Sequence, residues 1–459
     1  MSLVRIIFSM SLGATALAGC ARNLCESDST NPLCTVIPVP GTAMVTVTPP
    51  RLSLSAGGTL MIEVKPAPAA NSSLVLRRDG AMDLPLGEMS DGKLTVSLSA
   101  AELKGRGFMP GAAQVALVQP EQSDRTAALR LVVDPQFTKP AKIYDTSISS
   151  DFPLSVAIGK ASTLYTLNQF PPFSGSPDRL LRIGEYQLTT SALMPRVPQT
   201  FGAYRAYPFT SGAPGLAALG RTGMIILSRN PVSTTSPILA DYCLFATAQC
   251  QSINPATLDF KTAAVLAADR QGSLFTVQTD PLQISSGTLA FRASEMNPFA
   301  EKLTVDNANQ PAFKSIIVHA TGDLDGDGQS DLIAFHSGPT GGSVFLGQPD
   351  GRVLRYSDAV TERLSQIFAL NGVTAAALAD VDADGLNDLL VARDAMVSLY
   401  LNQGNGTLTP GPQIPALAGI DSLAVGVMDT APSAWGKQDI AFATSTGQQV
   451  AVLLNQASY

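Results

Sequence analysis

The sequence predicts an all-β chain in which a β-sandwich precedes a β-propeller of six or seven blades. Three observations carry that expectation. Glycine (38) and proline (32) are frequent while long helical periodicities are scarce, a balance that favours many short strands joined by turns. Short apolar runs bounded by turn signals fill residues 42–135. From residue 154 onward a small-residue, apolar strand recurs at intervals of roughly 50–60 residues, the size of a four-stranded blade.

Composition narrows the function. The 459 residues are 45% hydrophobic and 15% charged, enough apolar material for buried cores and no signature of global disorder. The net charge is −7 and the chain shows no strong basic cluster. Nucleic acid is therefore excluded as a partner, because neutralising phosphates needs a basic footprint. The acidity is concentrated in a few aspartate-rich loops, and such local crowding of carboxylates points to cation binding.

At the N-terminus, Arg5 precedes an apolar run at residues 6–18 of signal-peptide length, short of a comfortable bilayer span. The run ends in Leu17-Ala18-Gly19-Cys20. This resembles the bacterial lipobox. The resemblance implies a signal peptide at 1–19, lipidation of the Cys20 thiol, and a tether at 20–41 holding the protein to a membrane. Ala21 stands where an Asp would favour inner-membrane retention, so the resemblance implies the outer membrane. Four cysteines remain. An even number in an exported chain reads as two local disulfides, Cys25 with Cys34 and Cys243 with Cys250, against the alternative of four free thiols.

Residues 42–135 hold six or seven short strands, including 44–47, 59–64, 74–76, 94–98, 115–118 and 128–133. Their spacing suggests a sandwich. The segment resembles the immunoglobulin-like domains of bacterial surface proteins, without a Cys…Trp…Cys signature. Residues 136–153, rich in Pro and Ser, read as a linker. Residues 154–459 then carry six recurring strand cores, at 156–159, 216–220, 264–269, 317–323, 375–380 and 423–429. Small Ala and Gly residues suit innermost strands, where blades crowd around an axis.

The fourth and fifth repeats carry the chemistry. Asp323, Asp325, Asp327 and Asp331 in one loop match Asp380, Asp382, Asp384 and Asp388 in the other, at loop positions 1, 3, 5 and 9. Ca²⁺ is a hard cation that takes six to eight oxygens, backbone carbonyls among them. Alternate residues of a tight loop can aim carboxylates at one centre, and Gly328 and Gly385 permit the sharp turn at position 6. The position-7 carbonyls of Gln329 and Leu386 are the expected backbone ligands. An EF-hand would need Glu at position 12 and flanking helices. Position 12 is Ala334 or Val391, and the flanks read as strands.

The apolar strand, Gly-Asp, Asp-x-Asp-Gly and Asp-Leu of these loops resemble the FG-GAP/VCBS repeats of integrin-α-type propellers. Leu399-Tyr400-Leu401-Asn402 and Ala451-Val452-Leu453-Leu454-Asn455 match the family's third strand. The sixth repeat keeps Asp429 and Asp439-Ile440 but loses the carboxylates between them. The resemblance implies calcium-clamped blades, with any protein or glycan ligand bound on blade-connecting loops. No triad, P-loop or zinc signature is present. His319 and His336 read as packed residues, and Trp435 as a cap on the degenerate repeat. A non-enzymatic interaction protein is the expected function. A calcium-dependent carbohydrate-active lyase and a purely structural envelope component are the alternatives.

Overall fold

Alternation of apolar and polar residues decides the first two sheets. In the strand Gly58–Lys65, Leu60, Ile62 and Val64 are buried while Met61 between them faces out. That period of two is what a half-buried strand requires. The computed structural model describes residues 44–457 apart from a set of connecting stretches. The longest of these are 171–179, 207–214, 230–237, 254–263, 279–289, 293–300, 307–315 and 429–437. Cys20, Cys25, Cys34, Trp435 and the leader and tether segments lie outside the described residues.

The first sheet orders Met44–Thr48, Gly58–Lys65 and Lys93–Leu98, all antiparallel. The second orders Arg51–Ser53, Arg125–Val132, Gly111–Val118, Ser73–Arg77 and Leu84–Glu88. Only Arg51–Ser53 runs parallel to its neighbour there, placing Arg51 beside Arg130. One core draws on both sheets, with Leu60, Ile62 and Leu98 meeting Leu74, Val115, Leu117 and Leu131. Each such buried side chain contributes about 1.5–3 kcal/mol. A short helix, Ala100–Gly105, adds Leu103 to this core. It starts at Ser99, whose hydroxyl accepts the Glu102 amide.

The remaining strands form six four-stranded antiparallel groups, the third and fourth of which join into one eight-stranded sheet. The first is Phe152–Ile158, Thr163–Phe170, Leu180–Leu188 and Leu193–Pro195. The second is Gly215–Leu219, Gly223–Arg229, Ile238–Leu244 and Gln249–Ile253. Across its last pair, Cys243 and Cys250 stand opposite each other and are joined by a disulfide. The third comprises Ala264–Ala268, Ser273–Gln278, Ala290–Arg292 and Glu301–Asp306. The fourth comprises Ile316–Gly322, Asp331–His336, Gly342–Gly347 and Val353–Tyr356, and the last strands of these two sheets pair in parallel. The fifth is Val373–Ala379, Asp388–Arg393, Met396–Asn402 and Leu408–Pro415.

The sixth sheet combines Ser422–Gly426, Asp439–Thr444 and Gln449–Leu453 with an earlier strand, Lys142–Asp145. That strand falls within the stretch 136–153. Part of that stretch is a sheet edge, Phe137 bridges Asn455, and Phe152 already opens the first sheet. Four residues carry too little alternation to read as a strand alone. Their partner lies at the far end of the chain.

The first strand of each sheet neighbours that of the next, and Ser422–Gly426 neighbours Phe152–Ile158 in turn. Small residues are needed where these strands meet. A Cβ on Gly426 would stand 3.0 Å from the Ile158 side chain. Among the described residues no helix is long and apolar enough to cross a membrane.

Candidate metal centre

Each aspartate loop is the connection between the first and second strands of its sheet. Gly322 pairs with Asp331 to close residues 323–330, and Ala379 pairs with Asp388 to close 380–387. Turning the chain in so few residues takes two left-handed positions per loop. Gly326 and Gly328 supply them in the first loop, at φ 83° and 84°. In the second, Gly385 sits at 89° and Ala383 at 61°. Ala383 holds this conformation against its own Cβ, at a cost of about 1–2 kcal/mol.

Backbone amides aim the carboxylates. Asp323 accepts Gly326 N–H at Oδ1 (2.7 Å) and Gly328 N–H at Oδ2 (2.9 Å). Asp325 Oδ1 accepts the Asp327 amide (3.2 Å), and Asp327 Oδ1 accepts that of Gln329 (2.7 Å). The second loop repeats the pattern. Asp380 Oδ2 accepts Gly385 N–H, Asp382 Oδ1 accepts Asp384 N–H, and Asp384 Oδ1 accepts Leu386 N–H. Pinning one oxygen of the third and fifth residues leaves the other free to turn inward. Asp323, Asp325 and Asp327 each bring one carboxylate oxygen within 4.8 Å of the others, as do Asp380, Asp382 and Asp384.

The first cluster fits a hard cation with oxygen ligands. Among the described residues no Lys or Arg forms an ion pair with Asp323, Asp325 or Asp327. The negative charges there face one another. Burial, with the charge of Asp327 next, pushes the Asp325 carboxyl up to about 7. Burial also raises Asp323. A bound divalent cation would reverse both shifts, since an opposite charge favours the ionised form.

Asp331 and Asp388, expected as ligands, stand outside both clusters. Their two oxygens are taken by backbone amides. Asp331 accepts from Leu324 (2.6 Å) and Gly347 (2.8 Å). Asp388 accepts from Val381 (3.1 Å) and Asn402 (2.8 Å). Asp439 does the same in the sixth sheet, accepting from Met428 (2.6 Å) and Asn455 (2.8 Å), although that repeat lacks the carboxylates of a cluster. The position-9 aspartate is thus a staple from loop to third strand. Burial pushes Asp388 up to about 8 and Asp331 higher than its ordinary range, against the lowering effect of these amides. The amides of Gln329 and Leu386 orient their neighbouring aspartates, and Leu386 is itself buried.

Four further side chains complete the site. Asn402 Nδ2 donates to Leu324 O (2.6 Å) in the first loop and to Asn387 O (2.8 Å) in the second. Asn455 Nδ2 donates to Val381 O (3.3 Å). Each asparagine so ties its own sheet to the loop of the sheet before. The signal was the Leu-Asn pair that ends the third strand at 401–402 and recurs just past it at 454–455. The other two come from the N-terminal sheets. Arg51 forms ion pairs through Nη2 with Asp382 and, at 3.4 Å, with Asp384, and its Nη1 donates to Asn402 O (2.6 Å). Arg130 Nη1 donates to Asp384 O (3.1 Å), and the Val133 amide to Asp382 O (2.9 Å). His336 stands apart from all of this, buried against Ser343 Oγ at 2.9 Å.

The paired loops and their strands are what comparison with known families finds. The FG-GAP-like repeat family matches residues 323–391 and 380–430. The chain carries FG-GAP-like repeats. Both aspartate clusters and the staples Asp331 and Asp388 fall inside the matched span. No curated protein matches the chain. Among solved structures it is similar to a Photorhabdus luminescens Tc holotoxin pore, with a TM-score of 0.37 and 12% identity. The match covers 86% of this chain and 18% of that one, and so slight a likeness carries no inference about function.

Proposed function

We propose that this protein is a cell-envelope lipoprotein whose FG-GAP-like repeats build a calcium-stabilised β-propeller for binding a protein or glycan partner. The observation that carries the reading is the pair of matched aspartate clusters, each set in the same hairpin of a four-stranded sheet. Calcium suits them best among common cations, because flexible all-oxygen sets with a sharp glycine turn accommodate its six to eight ligands. Asp323, Asp325 and Asp327 would hold it in the first loop. The propeller is supported by the cyclic succession of first strands and by the early strand that completes the last sheet. An N-terminal β-sandwich is supported by two sheets sharing one core. The lipid anchor rests on Leu17-Ala18-Gly19-Cys20 and implies an outer-membrane location. With no nucleophile–base pair among the conspicuous motifs, binding is favoured over catalysis.

Thermal unfolding with calcium and with chelator tests the scaffold, on the wild type and on Asp325→Ala combined with Asp382→Ala. Calcium should raise the wild-type midpoint and leave the double variant unmoved, since affinity for the folded loop adds to stability. A wild type indifferent to calcium would sink the reading. Glycan arrays and pull-downs with the whole chain would then identify the partner.

A further inference from the structure

The two aspartate clusters are alike in sequence and unlike in their surroundings. In both, the Oδ1 atoms of the third and fifth residues are held by amides two residues further on. Their Oδ2 atoms are the ones left for a cation. In the second loop those same atoms, Asp382 Oδ2 and Asp384 Oδ2, are paired with Nη2 of Arg51. The three side chains are 11%, 1% and 0% exposed, so the pairs are shielded from solvent. Arg51 also comes anchored, since its strand lies beside Arg125–Val132 and its Nη1 holds Asn402 O. Arg130 and the amide of Val133 hold two carbonyls of the same loop. The second cluster is therefore the seat on which the N-terminal sheets rest.

We propose that Arg51 is a built-in cation of the second loop, taking the place a divalent ion takes in the first. Metal at the second loop and the seating of Arg51 then compete for the same two oxygens. This rests on the reading that the first loop binds calcium. By reciprocity, an ion that enters the second loop weakens the hold on the N-terminal sheets by the factor that Arg51 weakens the ion. The first loop is the constitutive site, and the second is a calcium-sensitive joint between the N-terminal sheets and the repeats.

Calorimetric titration of the full chain with calcium chloride tests this. The wild type should bind one ion tightly at the first loop and a second at least about tenfold more weakly, a gap ordinary for coupled sites. Asp325→Asn should remove the tight event alone. Arg51→Gln should tighten the weak event by about tenfold and leave the first loop unchanged, which also reports that the repeats remain folded. Should Arg51→Gln lose first-loop binding, hydrogen exchange on the wild type replaces it. Excess calcium should then quicken amide exchange in Arg51–Ser53 and Arg125–Val132. Equal affinities for the two loops in the wild type would overturn the proposal. So would a second-loop affinity unmoved by Arg51→Gln, or unmoved exchange where that readout is used. A chain that binds no calcium at either loop, in any variant, would overturn the calcium reading as well. The silent first loop marks that case.

Discussion

The staple at Asp439 offers a clean measurement, because its sheet lacks an aspartate cluster to complicate it. Asp439 is fully buried and accepts the amides of Met428 and Asn455 at 2.6 and 2.8 Å. Asp439→Ala would strand both N–H groups away from water. Each orphaned buried donor costs about 1–3 kcal/mol, so the variant should lose about 2–6 kcal/mol. The loss should be the same in calcium and in chelator. Denaturant unfolding gives the magnitude, and hydrogen exchange at the Met428 and Asn455 amides gives the location. A change under about 0.5 kcal/mol, the level of an ordinary surface substitution, would refute the idea that position 9 is a backbone staple. Equally damaging would be an effect that grows when calcium is present.

Other outcomes follow from the same geometry. Ala383→Gly should stabilise the protein by about 0.5–1 kcal/mol, relief of a left-handed alanine outweighing the added freedom of the unfolded chain, as read from the unfolding midpoint. Asn402→Ala should cost about 2–3 kcal/mol by leaving the Leu324 and Asn387 carbonyls unmet, a loss that denaturant unfolding would measure. In chelator, the folded state holds a proton on Asp325 up to about pH 7 that the unfolded chain has released by about pH 4. Stability should therefore fall as pH rises through that window, and calcium should abolish the fall. Unfolding midpoints between pH 4.5 and 8, with and without the ion, would show it.

The sequence made the three-carboxylate clusters legible because each position in such a loop has a chemical demand of its own. Carboxylates alternate so that they converge, and glycine stands where the backbone must turn left-handed. The ninth aspartate was harder. A metal ligand and an acceptor of two amides call for the same residue type, and only Asp439, surviving in a repeat without a cluster, hints at the second role. Arg51 was illegible, since nothing local distinguishes it from any arginine before a short strand. Its meaning lies in Asp382 and Asp384, more than three hundred residues away. The strand Lys142–Asp145 was hidden for the same reason, being short and paired only with Gln449–Leu453.

That last strand has a mechanical consequence. Tension carried along the backbone from the N-terminal sheets enters the six-sheet array at Phe137, which bridges Asn455, and then at Lys142, whose strand is held by the register from Val452–Lys142 to Gln449–Asp145. Those few backbone hydrogen bonds take the load before any other sheet feels it, and the contacts of Arg51, Arg130 and Val133 run parallel to them as a brace. A protein pulled between an anchor and a bound partner would first yield at this seam. The five sheets beyond it would keep their shape while the seam gives way.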